Sequence, residues 1–195
     1  AGSALGAGPL AANAVLTTQM SAAIGIVGWV LVERYHRGKP TVLGAVSGSV
    51  SGLVAITPAA GFVTPVAAIP IGFIGAICCY VAVAVLKSKF GYDDSLDAFG
   101  IHGVGGMWGA IATGLFATVS VNPDGADGLF YGGNLLIPQL ISLVVAIALA
   151  IIGTTSIFKV ISLFMDMRVS ISAESLGIDI SEHGEGAYNQ SEFKS

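Results

Sequence analysis

Residues Ala98–Val119 read AFGIHGVGGMWGAIATGLFATV, a run with no Asp, Glu, Lys or Arg that carries one histidine, His102, close to its start. About 20 apolar residues cross the hydrocarbon of a bilayer, and this run is long enough. An ionisable side chain at such depth is expensive, and it usually faces a cavity, a proton path or a partner group. One helical turn to either side stand Ala98, Gly105 and Gly106, all too small to cover an imidazole, with Phe99 the exception. Two readings follow from the residues. Either His102 lines a lumen, or it bonds a carbonyl across a helix interface.

The rest of the chain has the same character. Of 195 residues only 10% are charged and 54% are hydrophobic, where a soluble domain has about 25% charged. Mean hydropathy is +0.83. Too few charges remain to cover a globule of this size, so the chain belongs in lipid. Further apolar stretches cover Ala11–Val32, Val42–Ile56, Val66–Leu86 and Leu135–Phe158. The second is short, and it either runs on past Pro58 to Gly61 or is buried among neighbours. The 27 glycines suit membrane helices, where small residues let backbones approach. Gly44, Gly48 and Gly52 repeat every four residues, as do Gly105 and Gly109, and these ridges are expected to pack against other helices. Trp29 is expected to pack in the same way or to sit at the membrane interface.

Several function classes drop out. A net charge of −4 with no basic run gives no surface for nucleic acid. The adjacent Cys78 and Cys79 lack metal-ligand spacing and read as small buried hydrophobes. No nucleophile–base pair and no metal cluster suggests an enzyme, and no cofactor or metal is expected.

The connections set an orientation. Glu33–Pro40 (ERYHRGKP) and Lys87–Asp97 (KSKFGYDDSLD) are polar, whereas Thr57–Pro65 and Ser120–Asn134 are rich in Pro and Gly. If the spans alternate, Arg34, Arg37, Lys39, Lys87, Lys89, Lys159 and Arg168 fall on one side, with Asp124 and Asp127 opposite. Such segregation marks the cytoplasmic face. Beyond Arg168 the composition turns polar, so residues 1–168 read as the membrane domain and 169–195 as a cytoplasmic tail. Asp93, Asp94 and Asp97 precede the His102 span. They either cap its first amides or make a negative inner vestibule, in which Asp97 stands nearest the pore. His36 and His183 lie in polar segments and are not expected to serve transport.

The stretch DAFGIHGVGG at Asp97–Gly106 resembles the second pore-histidine motif of ammonium transporters, the Amt branch of the Amt/Rh/Mep family. The similarity continues through AGSAL at Ala1–Leu5, GKPTVLGAVSGSVSGLVAITPAAGFV at Gly38–Val63, FGYDDSLD at Phe90–Asp97 and GIDISEHGEGAY at Gly177–Tyr188. The resemblance implies an all-α membrane protein made of the second inverted repeat, helices 6 to 10, plus helix 11 of that fold. Inverted repeats that hold a site between them at mid-membrane are a general transporter design. The resemblance makes His102 the second of two pore histidines and Ser3 the outer serine that accepts a hydrogen bond from ammonium. Thr57 matches a threonine near the pore, although its hydroxyl is equally suited to cap local backbone. Ala98 departs from the family pattern, where a bulkier aliphatic residue often narrows the inner lumen.

The same resemblance implies ammonium or ammonia as substrate, a homotrimer in the plasma membrane and a docking site for a P-II-type regulator near Gly177–Tyr188. The alternatives are a Rh-type ammonia or carbon dioxide channel and an ammonium sensor on the same fold. Ala1 is not a methionine and Ala1–Leu10 has no basic leader region. The chain is therefore expected to be one part of a longer protein. The first pore histidine, the outer tryptophan and the phenylalanine gate are expected in the other part.

Overall fold

The computed structural model describes residues 4–186, and among them every regular element is helical. Helix α1 runs Pro9–Arg37, α2 Val42–Ile56, α3 Pro65–Phe90, α4 Val104–Phe116 and α5 Leu136–Ile161, followed by two short helices, α6 Ile171–Leu176 and α7 Ile178–His183. The second span has the expected bounds. The first extends past the expected end at Val32. Glu33 is part of α1 and only 2% exposed, so the polar connection expected from Glu33 begins at Gly38. The reason is a specific partner for its carboxylate, described below.

The ends of these helices follow local chemistry. Pro9 and Pro65 occupy first-turn positions, where the missing N–H is no loss. The Thr41 and Thr64 hydroxyls accept from the amides of Gly44 and Ala67. Gly38 ends α1 at φ 79°, a left-handed conformation that glycine adopts without a Cβ penalty. Two π-helical turns interrupt the α pattern, Ala82–Leu86 inside α3 and Phe99–Gly103 leading into α4. The fourth expected span is thus a π turn plus α4, and its expected end at Val119 falls after the chain has become extended at Ala117.

The chain forms two compact units that divide within α5, after Ala146. In the first, α1 packs on both α2 and α3. The glycine ridge of α2 lies directly against α1. A Cβ on Gly48 would sit 2.6 Å from Trp29 Cβ and 2.7 Å from the Gly25 carbonyl oxygen, and one on Gly52 would fall on the Ser21 carbonyl. That proximity lets Ser21 Oγ donate to the Gly52 carbonyl at 2.7 Å. Trp29 is 4% exposed and meets Tyr80 edge-on, with centroids 5.2 Å apart, so it packs in the core. Helix α5 buries no residue and is apolar around its circumference, as suits a helix solvated by lipid.

The second unit holds the end of α5 and the polar segment after Arg168. That segment, read as a solvent-exposed tail, contains α6 and α7. Ser170 caps α6 by accepting from Ala173 N at 3.2 Å, and Gly177, at φ 106°, separates the two helices.

The glycine contacts give a comparative test. Gly153→Ala, where a Cβ meets nothing, is expected to leave thermal stability in detergent unchanged or slightly raised, since alanine is the better helix former by about 1 kcal/mol. Gly52→Ala drives a methyl into the Ser21 carbonyl and is expected to lower Tm by several degrees, matching about 1–3 kcal/mol of overpacking.

Candidate functional site

The π turn that carries His102 is built from both sides. At its start, the Asp94 carboxylate accepts from Phe99 N at 3.3 Å and from Gly100 N at 3.1 Å, satisfying amides that the turn leaves open. At its flank, Cys79 Sγ donates to the Ile101 carbonyl at 3.5 Å. Gly100 fits against Val83 of the other π turn, where a Cβ would come within 2.6 Å of Val83 Cγ2. The backbone leading into His102 is therefore fixed, with Gly100 and Ile101 buried.

The His102 ring is the opposite case. It is exposed, and it makes no hydrogen bond among the described residues. Ala98 and Phe99 are exposed beside it. Of the two sequence readings, a bond from His102 to a carbonyl across a packed interface is absent among the described residues.

Asp97 takes a different role from its neighbour Asp94. It sits at φ 56°, uncommon for a non-glycine residue, and accepts from Lys87 Nζ at 2.7 Å. The sequence weighed capping against a vestibule charge for all three acids together. The structure gives the cap to Asp94 and an ion pair to Asp97. The Asp97 charge is neutralised at close range.

Two cavities flank this arrangement, one toward each end of α1. A cavity of about 510 Å³ is bounded by the end of α1, the start of α2, the end of α3 and Asp97. It brings the basic connections Arg34–Lys39 and Lys87–Lys89 to one end of the helices, as the alternation of spans required. Glu33 lies in its wall. Its Oε2 accepts from Thr41 N and its Oε1 from Thr41 Oγ1, both at 3.1 Å, while Thr41 Oγ1 accepts from Gly44 N at 2.9 Å. The carboxylate thus sits at the N-terminus of α2, where the helix dipole favours an anion.

The second cavity, about 270 Å³, holds Thr57 together with Ala4, Thr18, Phe62 and Asn122. Thr57 is exposed and its hydroxyl donates to the Leu53 carbonyl at 2.7 Å, which is the local cap foreseen as its alternative role. The turn after it is held by Asn13, whose amide donates to the carbonyls of Ala60 at 3.2 Å and Val63 at 3.1 Å. Ser3, the expected substrate-binding residue, lies outside the described residues; its neighbour Ala4 lines this cavity. His102 and Ala98 line neither cavity, so the chain does not gather its candidate residues into one pocket. Sequence reading missed Glu33, placed in a loop. Its one signal was a carboxylate in helical register just before the basic connection.

Comparison with known proteins agrees with this architecture. The sequence profile of the Ammonium Transporter Family matches residues 1–188. An ammonium transporter of Bacillus subtilis is 56% identical over 191 residues, covering 97% of this chain and 47% of that protein. A putative ammonium transporter of Methanothermobacter thermautotrophicus is 47% identical, with 96% and 47% coverage. The chain spans about half the length of these relatives. Among solved structures, Saccharomyces cerevisiae Mep2 superposes with a TM-score of 0.77 at 34% identity, covering 84% of this chain and 39% of that one. A protein described as a sensor Amt protein superposes with a TM-score of 0.81 at 27% identity, covering 93% and 44%.

The cap on the His102 turn is open to test. Asp94→Ala removes the acceptor for two amides, a loss of about 1 kcal/mol. Hydrogen exchange at Phe99 and Gly100 is expected to quicken about fivefold, while exchange in α2 stays unchanged.

Proposed function

The chain belongs to the ammonium transporter family, a family of multi-pass, all-helical membrane transporters rather than enzymes, and from that membership we propose that it forms half of a pore for ammonium or ammonia. The observation that carries the proposal is the His102 ring, exposed and unbonded on a rigid turn within an otherwise apolar segment. In this reading the chain is the second inverted repeat, helices 6 to 10, with helix 11. Residues 1–168 are its membrane domain and 169–195 its cytoplasmic tail. The other half of the longer protein covers the His102 face and contributes the first pore histidine.

The chemistry follows from what distinguishes ammonium. Potassium is of similar size, so a size filter does not separate the two. Ammonium alone donates hydrogen bonds and can lose a proton. At the outer mouth, the Ser3 hydroxyl accepts one of those bonds and aromatic faces from the other half attract the cation. Thr57 stands on the same approach. Its hydroxyl proton is committed to Leu53, which leaves its oxygen lone pairs for a donor such as ammonium. Beyond it the apolar lumen makes a bare cation costly. Neutral ammonia passes, while the proton leaves at or before the lumen.

A neutral imidazole offers one donor and one acceptor, so paired rings give ammonia a polar edge to follow and can share a proton. Ala98 leaves the lumen wide below His102, and Asp97, held by Lys87, marks the inner vestibule. The protein works as a homotrimer in the plasma membrane with its C-terminus in the cytoplasm. Gly177–Tyr188 is where a P-II-type regulator docks; residues beyond Gly186 in that segment lie outside the described ones. A sensor on the same fold is the second reading, favoured by the structural neighbour described as a sensor.

Flux decides between them. In liposomes holding the complete protein, an inward ammonium gradient is expected to drive ammonium-specific current or alkalinisation. His102→Ala is expected to abolish the flux or its selectivity over potassium. Unchanged ammonium-specific transport in that variant refutes the role of His102, and no transport by the unmodified protein favours the sensor.

A further inference from the structure

The wall of the larger cavity contains Glu33, Arg37, Lys87 and Asp97, and both of these acids are already answered. Glu33 receives two hydrogen bonds from Thr41, and its charge is turned toward the start of α2. Asp97 accepts from Lys87 Nζ at 2.7 Å, and about a third of each side chain is exposed. The pair is therefore open to the cavity rather than sealed between helices. Without Lys87, the carboxylate of Asp97 would be the one acid in that wall with no partner.

The same wall is otherwise suited to hold a small cation. Ser47, half-buried, has a hydroxyl without a partner among the described residues, so its oxygen is free to accept. Tyr92, also half-buried, adds an aromatic ring. A bare carboxylate beside them would complete a site for a monovalent cation. Position matters too. The Asp97 carbonyl accepts from Ile101 N at 2.9 Å, so Asp97 begins the turn that carries His102. Whatever passes the ring toward this end meets Asp97 next.

We propose that Lys87 is a positioning residue for product release, a built-in counter-ion that occupies Asp97 so that the inner mouth does not retain the ammonium formed there. The inference rests on the transport reading above. Ammonia that leaves the lumen takes one proton from the buffered solution and becomes ammonium, the form that predominates at neutral pH. That cation appears within reach of Asp97, and an unopposed carboxylate would hold it. Lys87 is tethered to the end of α3, so it competes for the carboxylate at a local concentration no free cation matches. Arg37, without a partner in the same wall among the described residues, repels the departing cation further.

The test is inward ammonium flux in liposomes holding the complete protein, with ammonium chloride preloaded at graded concentrations inside. Lys87→Met is expected to lower kcat about fivefold, the scale of one solvent-exposed ion pair, and to leave kcat/KM for entry unchanged, because capture precedes release. Internal ammonium is expected to inhibit this variant at about fivefold lower concentration, by the same ion-pair scale. Lys87→Met combined with Asp97→Asn is expected to restore both quantities, since no charge remains to trap the cation. A merely structural defect at the His102 turn would lower kcat/KM and would not be rescued by losing the acid. Lys89→Gln, a basic residue at the same end but outside the cavity wall, is the control and is expected to have little effect. If Lys87→Met does not fold, Asp97→Asn alone carries the test, and it is expected to raise the inhibitory internal concentration. Unchanged kcat and unchanged inhibition in a Lys87→Met protein of normal Tm overturn the proposal, as does failure of the double variant to recover. Absence of flux through the unmodified protein is the separate result that removes the transport reading, and the counter-ion role with it.

Discussion

A bilayer interior offers no water to answer a buried polar group, so each one must be satisfied by the protein itself, at several kcal/mol per failure. Among the described residues no buried side-chain nitrogen or oxygen lacks a partner. Asn13 and Thr17 clamp the turn after α2 by bonding its carbonyls, Ser21 bonds the Gly52 carbonyl, and Trp108 donates its ring N–H to Ile71 at 2.9 Å. These contacts serve as positional constraints as much as stabilisation. Each links one helix to the backbone of another at a single register. Against that background the unbonded ring of His102 stands out, because the same constraint requires something else to answer it.

Helices can meet this constraint only where backbones come close, and glycine permits the approach. Ser21 reaches the Gly52 carbonyl because no Cβ intervenes along the α1–α2 contact. Gly109 allows the same approach, since a Cβ there would lie 2.5 Å from the Ala55 carbonyl oxygen and 2.9 Å from Pro58 Cδ. Packing of α2 on α4 in turn fixes the axis on which His102 rides. Position and chemistry are linked through small residues that carry no chemistry themselves.

The two ends of α1 divide the polar functions. At the end where the basic connections gather, Glu33, Thr41 and Gly44 form one hydrogen-bonded chain that ties α1 to the start of α2, and Lys87 with Asp97 ties α3 to the turn before His102. With both acids neutralised, Arg37 is the charged group in that wall without a partner among the described residues. At the other end hydroxyl, amide and phenyl groups share the cavity of Thr57, without a charge. One end of the helices carries the lysines and arginines, while the cavity at the other end is lined without a charge, and the difference follows from which connections hold the basic residues.

Composition and hydropathy are local properties, and they determined what local properties can determine. The sequence by itself placed the chain in a membrane, found Val42–Ile56 to the residue, assigned the glycine ridges to packing and put the basic connections at one end. It also singled out His102, because an ionisable group in an apolar run is visible without coordinates. Tertiary structure alone decided the rest. Glu33 could be buried because Thr41 and the α2 terminus come round to meet it, and a linear reading placed it in a loop. Asp94 and Asp97 are alike in sequence, yet one caps the π turn and the other pairs with Lys87. The π turns themselves rest on packing between Gly100 and Val83. Each of these outcomes depends on which distant groups arrive at hydrogen-bonding distance, and that is settled only when the helices have packed.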